Sequence, residues 1–392
     1  MKTIWRCKKS KIGPVIMLLL SLLSTSFAVL SQEQGFTPSV EINLLQDSNI
    51  YRTADEIDDT IASVAPTLAY NKLYGKQAIG FLYKGEYKHF SDNSRLSYAN
   101  HDIAAKAQLD HSYSLSSEFS VNYRDNIEQP GINNAATSQL SEFNQVSRTG
   151  VSGKVLYGAR QSKGQIVASY AYSKLRYDNN DQEFRDYSSD KLVGTFFYRI
   201  APKTRILLEA SAANLDYENT LNFDYSSKQK SYLAGVEWNA TAITSSVLKI
   251  GYQDVDYAND LLSDLSGLSY FLDMFWKPNT YTLFKIGASR SAKESAEQSI
   301  GGYLSNQFNV SVEHEFTHRT QLSVGYQYIE YDFNYLQSRK NESQDISVAL
   351  KYQSKHWLQL HVGFDLIERE SSSQLYEFDA KVINAGVVLS FD

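Results

Sequence analysis

The sequence has a single cysteine, only six prolines and almost no stretch whose apolar residues recur at helical spacing. Each shortage excludes something. Cys7 lies in the first few residues, so the rest of the chain has no thiol for a disulfide, a metal or a redox centre. The lack of amphipathic helical periodicity argues against helix bundles and α/β folds. Beyond residue 28 no run approaches the roughly 20 apolar residues that a membrane helix requires. Gly-rich phosphate loops, nucleophile elbows and calcium loops are missing too, and no cofactor is expected.

The start reads as an export signal. Lys2, Arg6, Lys8, Lys9 and Lys11 precede an apolar run from Val15 to Leu23, and Ser26-Phe27-Ala28 follows as a small-x-small cleavage site. That assigns residues 1–28 to a signal peptide and 29–392 to one mature unit. Five of the 38 basic residues lie in the signal, leaving 33 against 44 acidic ones, a formal −11. Such a balance, with no basic patch, excludes a nucleic-acid partner.

What is abundant is aromatic: 28 tyrosines and 19 phenylalanines. They sit in a period-2 pattern that sends successive side chains to opposite faces of a strand. From Leu358 to Leu366 five apolar residues alternate with polar or small ones, and the same holds for Leu322–Tyr328, Ile346–Tyr352, Ile103–Asp110 and Leu192–Ile200. The pattern reaches the end through Ile383, Ala385, Val387, Leu389 and Phe391.

Connections alternate in length. Tight links near 71–76, 111–115, 159–164, 201–204, 241–246, 277–280, 317–320 and 354–357 are interleaved with polar stretches. The polar stretches are 52–59, 91–97, 126–142, 178–189, 219–228, 258–266, 291–299, 334–342 and 369–374. Eight short and nine long connections make 18 strands. The expectation is all-β: a transmembrane, antiparallel up-and-down barrel in a bacterial outer membrane, with short turns in the periplasm and long loops outside. A soluble sandwich also alternates, but it would not explain this rhythm together with the signal. Trp238, Trp276, Tyr281, Phe316, Trp357 and Phe391 fall near short turns, and Tyr177, Tyr217, Tyr257, Tyr331 and Tyr376 near long loops. Two belts of amphipathic rings at the headgroup levels are therefore expected.

Several segments resemble a known family. They are Gln46-Asp47-Ser48-Asn49-Ile50-Tyr51-Arg52, Asp59 to Leu68, Gly85-Glu86-Tyr87, Tyr98-Ala99-Asn100-His101 and Glu128-Gln129-Pro130-Gly131. Over the first hundred or so mature residues that hold them, about a quarter of the chain, the sequence is similar to an outer-membrane β-barrel porin family found in exopolysaccharide and capsule export gene clusters. The resemblance implies a pore for export of an exopolysaccharide or capsular polysaccharide. It also implies a periplasmic polysaccharide-export protein and an inner-membrane co-polymerase as partners. The alternative is a general or solute-specific diffusion porin working in uptake.

One catalytic pattern occurs, His314-Glu315-Phe316-Thr317-His318, which on a helix would hold zinc. Here it falls on an alternating strand that ends in a turn, so the two histidines do not share a face; no metal site and no enzyme is expected. The candidate functional surface is the lumen. A charge facing the bilayer midplane costs about 2–4 kcal/mol, so charged strand residues should face water. The pore-lining candidates are Lys84, Glu86, Lys106, Arg124, Arg199, Arg205, Glu209, Lys249, Asp273, Glu313, Lys351 and Asp365. Acidic residues crowd the long loops at Asp55, Glu56, Asp58 and Asp59, at Asp178, Asp181, Glu183, Asp186 and Asp190, and at Asp256, Asp260 and Asp264. They read as solvated tips, with cations bridging to lipopolysaccharide phosphates or repulsion of an anionic polymer as the sharper alternatives. The outer face should meet outer-membrane lipid and lipopolysaccharide.

Overall fold

The computed structural model describes residues 34–131, 142–220, 223–241, 244–297, 300–333 and 339–391; the expected signal peptide lies outside the described residues. The chain forms 18 strands. They are β1 Gly35–Asp47, β2 Asp59–Tyr74, β3 Gln77–Phe90, β4 Tyr98–Asp110, β5 Leu115–Ile127, β6 Gln145–Tyr157, β7 Gly164–Tyr177, β8 Tyr187–Ala201 and β9 Thr204–Tyr217. The second half continues with β10 Ser227–Thr241, β11 Thr244–Tyr257, β12 Leu265–Trp276, β13 Thr282–Glu294, β14 Gly302–Thr317, β15 Thr320–Phe333, β16 Arg339–Lys355, β17 Leu358–Ser371 and β18 Phe378–Ser390. Each strand pairs antiparallel with its sequence neighbours, and β1 pairs with β18 from Ser39↔Ser390 to Asp47↔Val382, which closes the sheet. Closure removes both edges, so every ladder hydrogen bond can be made where no water is available.

The short–long alternation of connections holds around the ring. Where 334–342 was expected to be loop, β16 already begins at Arg339. The lower aromatic belt also holds: Trp276, Tyr281, Phe316, Trp357 and Phe391 stand exposed beside the short turns.

The upper belt is different. Tyr177, Tyr217, Tyr257 and Tyr331 are buried. They lie on the strand face opposite the exposed apolar row and pack loops against the inner wall. Tyr217, Tyr225 and Tyr257 share one cluster with Val255, Leu262 and Leu265; Tyr331 sits with Tyr303 and Phe333 in another. A third joins Ile61 and Phe90 to Ile50, Tyr51 and Phe143 of the long loops. The exposed, outward-facing tyrosines lie further down the strands, at Tyr87, Tyr123, Tyr170, Tyr232 and Tyr252. A ring at a strand's last residue is already above the lipid, so it gains more by sealing a loop than by facing headgroups.

The seam between β1 and β18 is tight. A Cβ added to Gly386 would lie 1.9 Å from Asn43 Oδ1 and 2.5 Å from the Ile42 carbonyl. The backbone oxygen cannot move without breaking the closing ladder. Gly386→Ala is therefore expected to lower barrel stability by about 1–3 kcal/mol, read as an earlier loss of the folded band on heating before gel electrophoresis. An unchanged transition would show that the seam can relax.

Candidate pore

Two faces alternate along every strand. The outward one carries Ile42, Leu44, Val64, Phe81, Val121, Leu208, Ile250, Leu350 and Ile383, all exposed. Its charges keep to the strand ends, where Lys230 meets Asp256 at 3.6 Å and Lys340 bridges Glu330 and Glu342 at 2.8 Å each. An exposed apolar band bordered by charge and aromatic rings is what hydrocarbon selects.

Register places all twelve candidates on the opposite, inward face: Lys84 and Glu86 on β3, Lys106 on β4, Arg124 on β5, Arg199 on β8, Arg205 and Glu209 on β9, Lys249 on β11, Asp273 on β12, Glu313 on β14, Lys351 on β16 and Asp365 on β17. Some are brought together. Glu209 stands opposite Leu233 of β10 and Lys249 opposite Gly235, two residues further along the same strand, and the two join across β10 at 2.7 Å; the Thr195 hydroxyl donates to the same carboxylate at 3.1 Å. Arg205 meets Glu237 at 2.5 Å, Glu313 meets Lys285 at 2.5 Å, Arg124 meets Asp102 at 3.4 Å, and Glu86 meets Lys88 at 3.3 Å. Others are not: among the described residues Lys84, Asp273, Lys351 and Asp365 have no opposite charge within ion-pair distance. Pairs of this kind are worth a few tenths to about 1 kcal/mol and balance part of the wall.

The long-loop mouth is framed by groups that sequence reasoning missed or misread. Glu128 accepts from both guanidinium nitrogens of Arg185, at 2.7 and 2.8 Å, and from Tyr177 Oη and Asn144 Nδ2 at 2.9 Å each. Both charged side chains are only 8% exposed. Burial opposes the charge on Arg185, but the adjacent Glu128 carboxylate outweighs it and the pKa is raised. Nearby, burial pushes the Asp186 carboxyl up, although it accepts the Tyr177 amide at 2.8 Å. Glu218, hydrogen-bonded by Lys174, is held below the usual carboxylate range.

Parts of the segments that carried the family resemblance, residues 46–52, Asp59 and 128–131, contribute to this frame. Asp47 pairs with Arg52 in a two-pronged contact at 2.7 and 2.8 Å, which holds Arg52 in the left-handed region (φ 55°). Fully buried Asn49 ties the Thr53 and Asp379 carbonyls. Asp59 accepts the amides of Ser91, Asp92 and Asn93, and Asp264 that of Tyr257. Asp47, Asp59 and Asp186 are thus buried acceptors of loop hydrogen bonds, whereas Asp264 stays exposed while it accepts its amide, and Asp55, Glu56 and Asp58 are exposed as solvated tips would be. Gly131 has φ +78°, and a Cβ there would meet the Phe378 ring at 3.0 Å. The segment after β5 therefore reaches the inward face of β18, where Arg339 stacks on Phe333 and Tyr376, and Arg369 on Phe378. Arg369 shares its strand face with Asp365, so parity could have placed it inward; nothing in the sequence pairs Glu128 with Arg185.

The zinc-like pattern lies on β14 and the turn after it. His314 faces outward between Tyr281 and Phe316, with Thr282 Oγ1 2.9 Å from Nδ1; Glu315 is on the other face and His318 is in the turn.

Comparison with known proteins agrees with this geometry. A family described as Putative beta-barrel porin 2 matches residues 35–391. Among curated proteins, none matches this sequence. Solved structures of similar fold include OccK2 (OpdF) of Pseudomonas aeruginosa, with TM-score 0.52, 10% identity and coverage of 91% of this chain and 100% of that one. The outer membrane protein OpdK of the same organism gives TM-score 0.50, 12% identity and coverage of 91% and 99%. OccK2 in complex with glucuronate gives 0.50, 10%, 91% and 96%. At such identity the likeness is one of fold.

Proposed function

The chain belongs to the Putative beta-barrel porin 2 family, and from that premise we propose that it is a diffusion channel admitting small hydrophilic solutes through the outer membrane. The observation that carries this reading is the inward face of the closed 18-strand sheet, charged and hydrogen-bonding on a barrel of a size that leaves a water-filled lumen. Lys84, Glu86, Lys106, Arg124, Arg199, Arg205, Glu209, Lys249, Asp273, Glu313, Lys351 and Asp365 line the path in this proposal. Because charges of both signs line the wall and many of them are paired with a neighbour, the central channel passes hydrated solutes with weak preference for either ion sign. The work of the protein is permeation, with no catalytic step. A signal peptide over residues 1–28 belongs to the same proposal.

Uptake is preferred to polysaccharide export. Glu128, just after β5, and Arg185, between β7 and β8, tie neighbouring segments of the long-loop end together rather than leaving them open for a polymer. A structural relative, OccK2, has been solved with the small sugar acid glucuronate. Purified protein in planar bilayers is expected to give stepwise, ohmic conductance in potassium chloride, and proteoliposomes to swell in monosaccharide but not in dextran. Silent bilayers would overturn the channel. Loss of surface polysaccharide on gene deletion, with small-solute permeability intact, would restore export.

A further inference from the structure

We propose that the short-turn mouth of the barrel, on the wall from β6 to β10, holds a binding site for small oxyanions, carboxylate or phosphate, built from Arg160, Arg199 and Arg205. The proposal rests on the channel reading and names the solute chemistry of one end of it. Elsewhere on the wall charges are paired or stand singly; here three guanidiniums gather around one carboxylate. Arg199 and Arg205 stand directly opposite each other in the β8–β9 register. Like charges so placed weaken a ladder unless something neutralises them.

Arg205 is neutralised. Its Nη2 meets Glu237 Oε2 at 2.5 Å, its Nη1 donates to Gln165 at 2.7 Å, and its guanidinium lies 4.1 Å over the Phe197 ring. Arg160 projects from the turn between β6 and β7 and takes the other oxygen, Glu237 Oε1, at 2.7 Å; Asn239 donates to that oxygen as well at 3.2 Å. Glu237 is thereby saturated. Arg199 is left with carbonyl oxygens only, those of Pro202 at 3.2 Å and Arg160, and its buried Nε has no partner. Three guanidiniums share one carboxylate, a surplus of two positive charges in one patch.

The patch is reachable, since the Arg160 side chain is 67% exposed. It also sits in a matching field. The short connections carry Lys76, Arg160, Lys163, Lys203, Lys277 and Arg319 and not one Asp or Glu, whereas the long loops are acidic. A planar guanidinium fork without an anion, beside two others and open to water, fits the paired oxygens of a carboxylate or phosphate.

The test uses the purified full-length protein in two assays. Calorimetry in detergent should show binding of inorganic phosphate and citrate but not of glucose. In planar bilayers both anions should reduce the chloride current. Arg199→Gln should weaken binding and block about tenfold, the worth of one charge-assisted hydrogen bond, and move the reversal potential toward cations. Glu237→Gln, which frees two guanidiniums, should strengthen both. Lys154→Gln, which removes the partner of Glu118 elsewhere on the wall, should change neither. Response to phosphate alone or to citrate alone assigns the site to that anion and supports it. Equal binding by Arg199→Gln and the parent chain overturns it, as would block by glucose. Silent bilayers with intact anion binding would defeat the channel and leave the site standing; conducting bilayers without binding would do the reverse.

Discussion

Glu128→Gln is expected to loosen the long-loop mouth by about 3–5 kcal/mol while leaving the barrel itself assembled. The amide keeps the size of the carboxylate but can no longer serve both guanidinium nitrogens of Arg185, so a cation that is 8% exposed loses the carboxylate it pairs with. The cost is the penalty of an uncompensated buried charge, not the modest net worth of the pair. Two neighbours set the scale. Tyr177→Phe deletes one hydrogen bond to the same carboxylate and should cost about 1 kcal/mol. Replacing both partners, Glu128→Leu with Arg185→Met, removes the charge altogether and should recover most of the loss. Hydrogen exchange measures this directly. Amides in 128–131, 142–144 and 178–186 should lose protection in Glu128→Gln, while mid-strand amides of β5 to β8 stay protected. Unchanged exchange in those loops would mean that the pair is not what holds them.

The clamp also shows where sequence reasoning stops. Glu128 and Arg185 lie 57 positions apart and meet only because β5, β6, β7 and β8 stand side by side in a ring. The Arg160–Glu237 contact spans 77 positions for the same reason. Strand number and the division of residues between two faces were legible because both follow from a local rule: Lys249 and Ile250 are adjacent and must face opposite ways. The inward tyrosines were legible by that rule and misread by another. Tyr217 shares parity with Arg205 and Glu209, and Tyr257 with Lys249 and Gln253. Reading them by nearness to a loop placed them in an outer belt; reading them by parity would have turned them inward. The Asp47–Arg52 contact spans only five positions, but its purpose became visible only once Asn49 was seen to tie the loop to Asp379 on β18.

Ile250→Lys should prevent or severely slow membrane assembly, whereas lysine one residue earlier is native. Ile250 is 54% exposed on the outward face, amid Leu208, Tyr232 and Leu248; in the membrane that exposure is to hydrocarbon. A lysine near mid-depth there costs about 2–4 kcal/mol, and its neighbours offer no carboxylate to pair with. Lys249 points inward and meets Glu209 at 2.7 Å. The complementary change, Lys249→Leu, leaves the partly buried Glu209 with the Thr195 hydroxyl and lumen water, so its cost should stay at about 1–2 kcal/mol, that of a lost charge-assisted hydrogen bond. The difference between two adjacent positions thus reports which face meets lipid, independently of whether the pore conducts. Folding into vesicles, followed by the heat-modifiable band and by tryptophan fluorescence of the short-turn belt, gives the readout. A parent-like folded yield for Ile250→Lys, or an equal loss for Lys249→Leu, would require the two faces to be exchanged and the inward assignment of the charged residues to be abandoned.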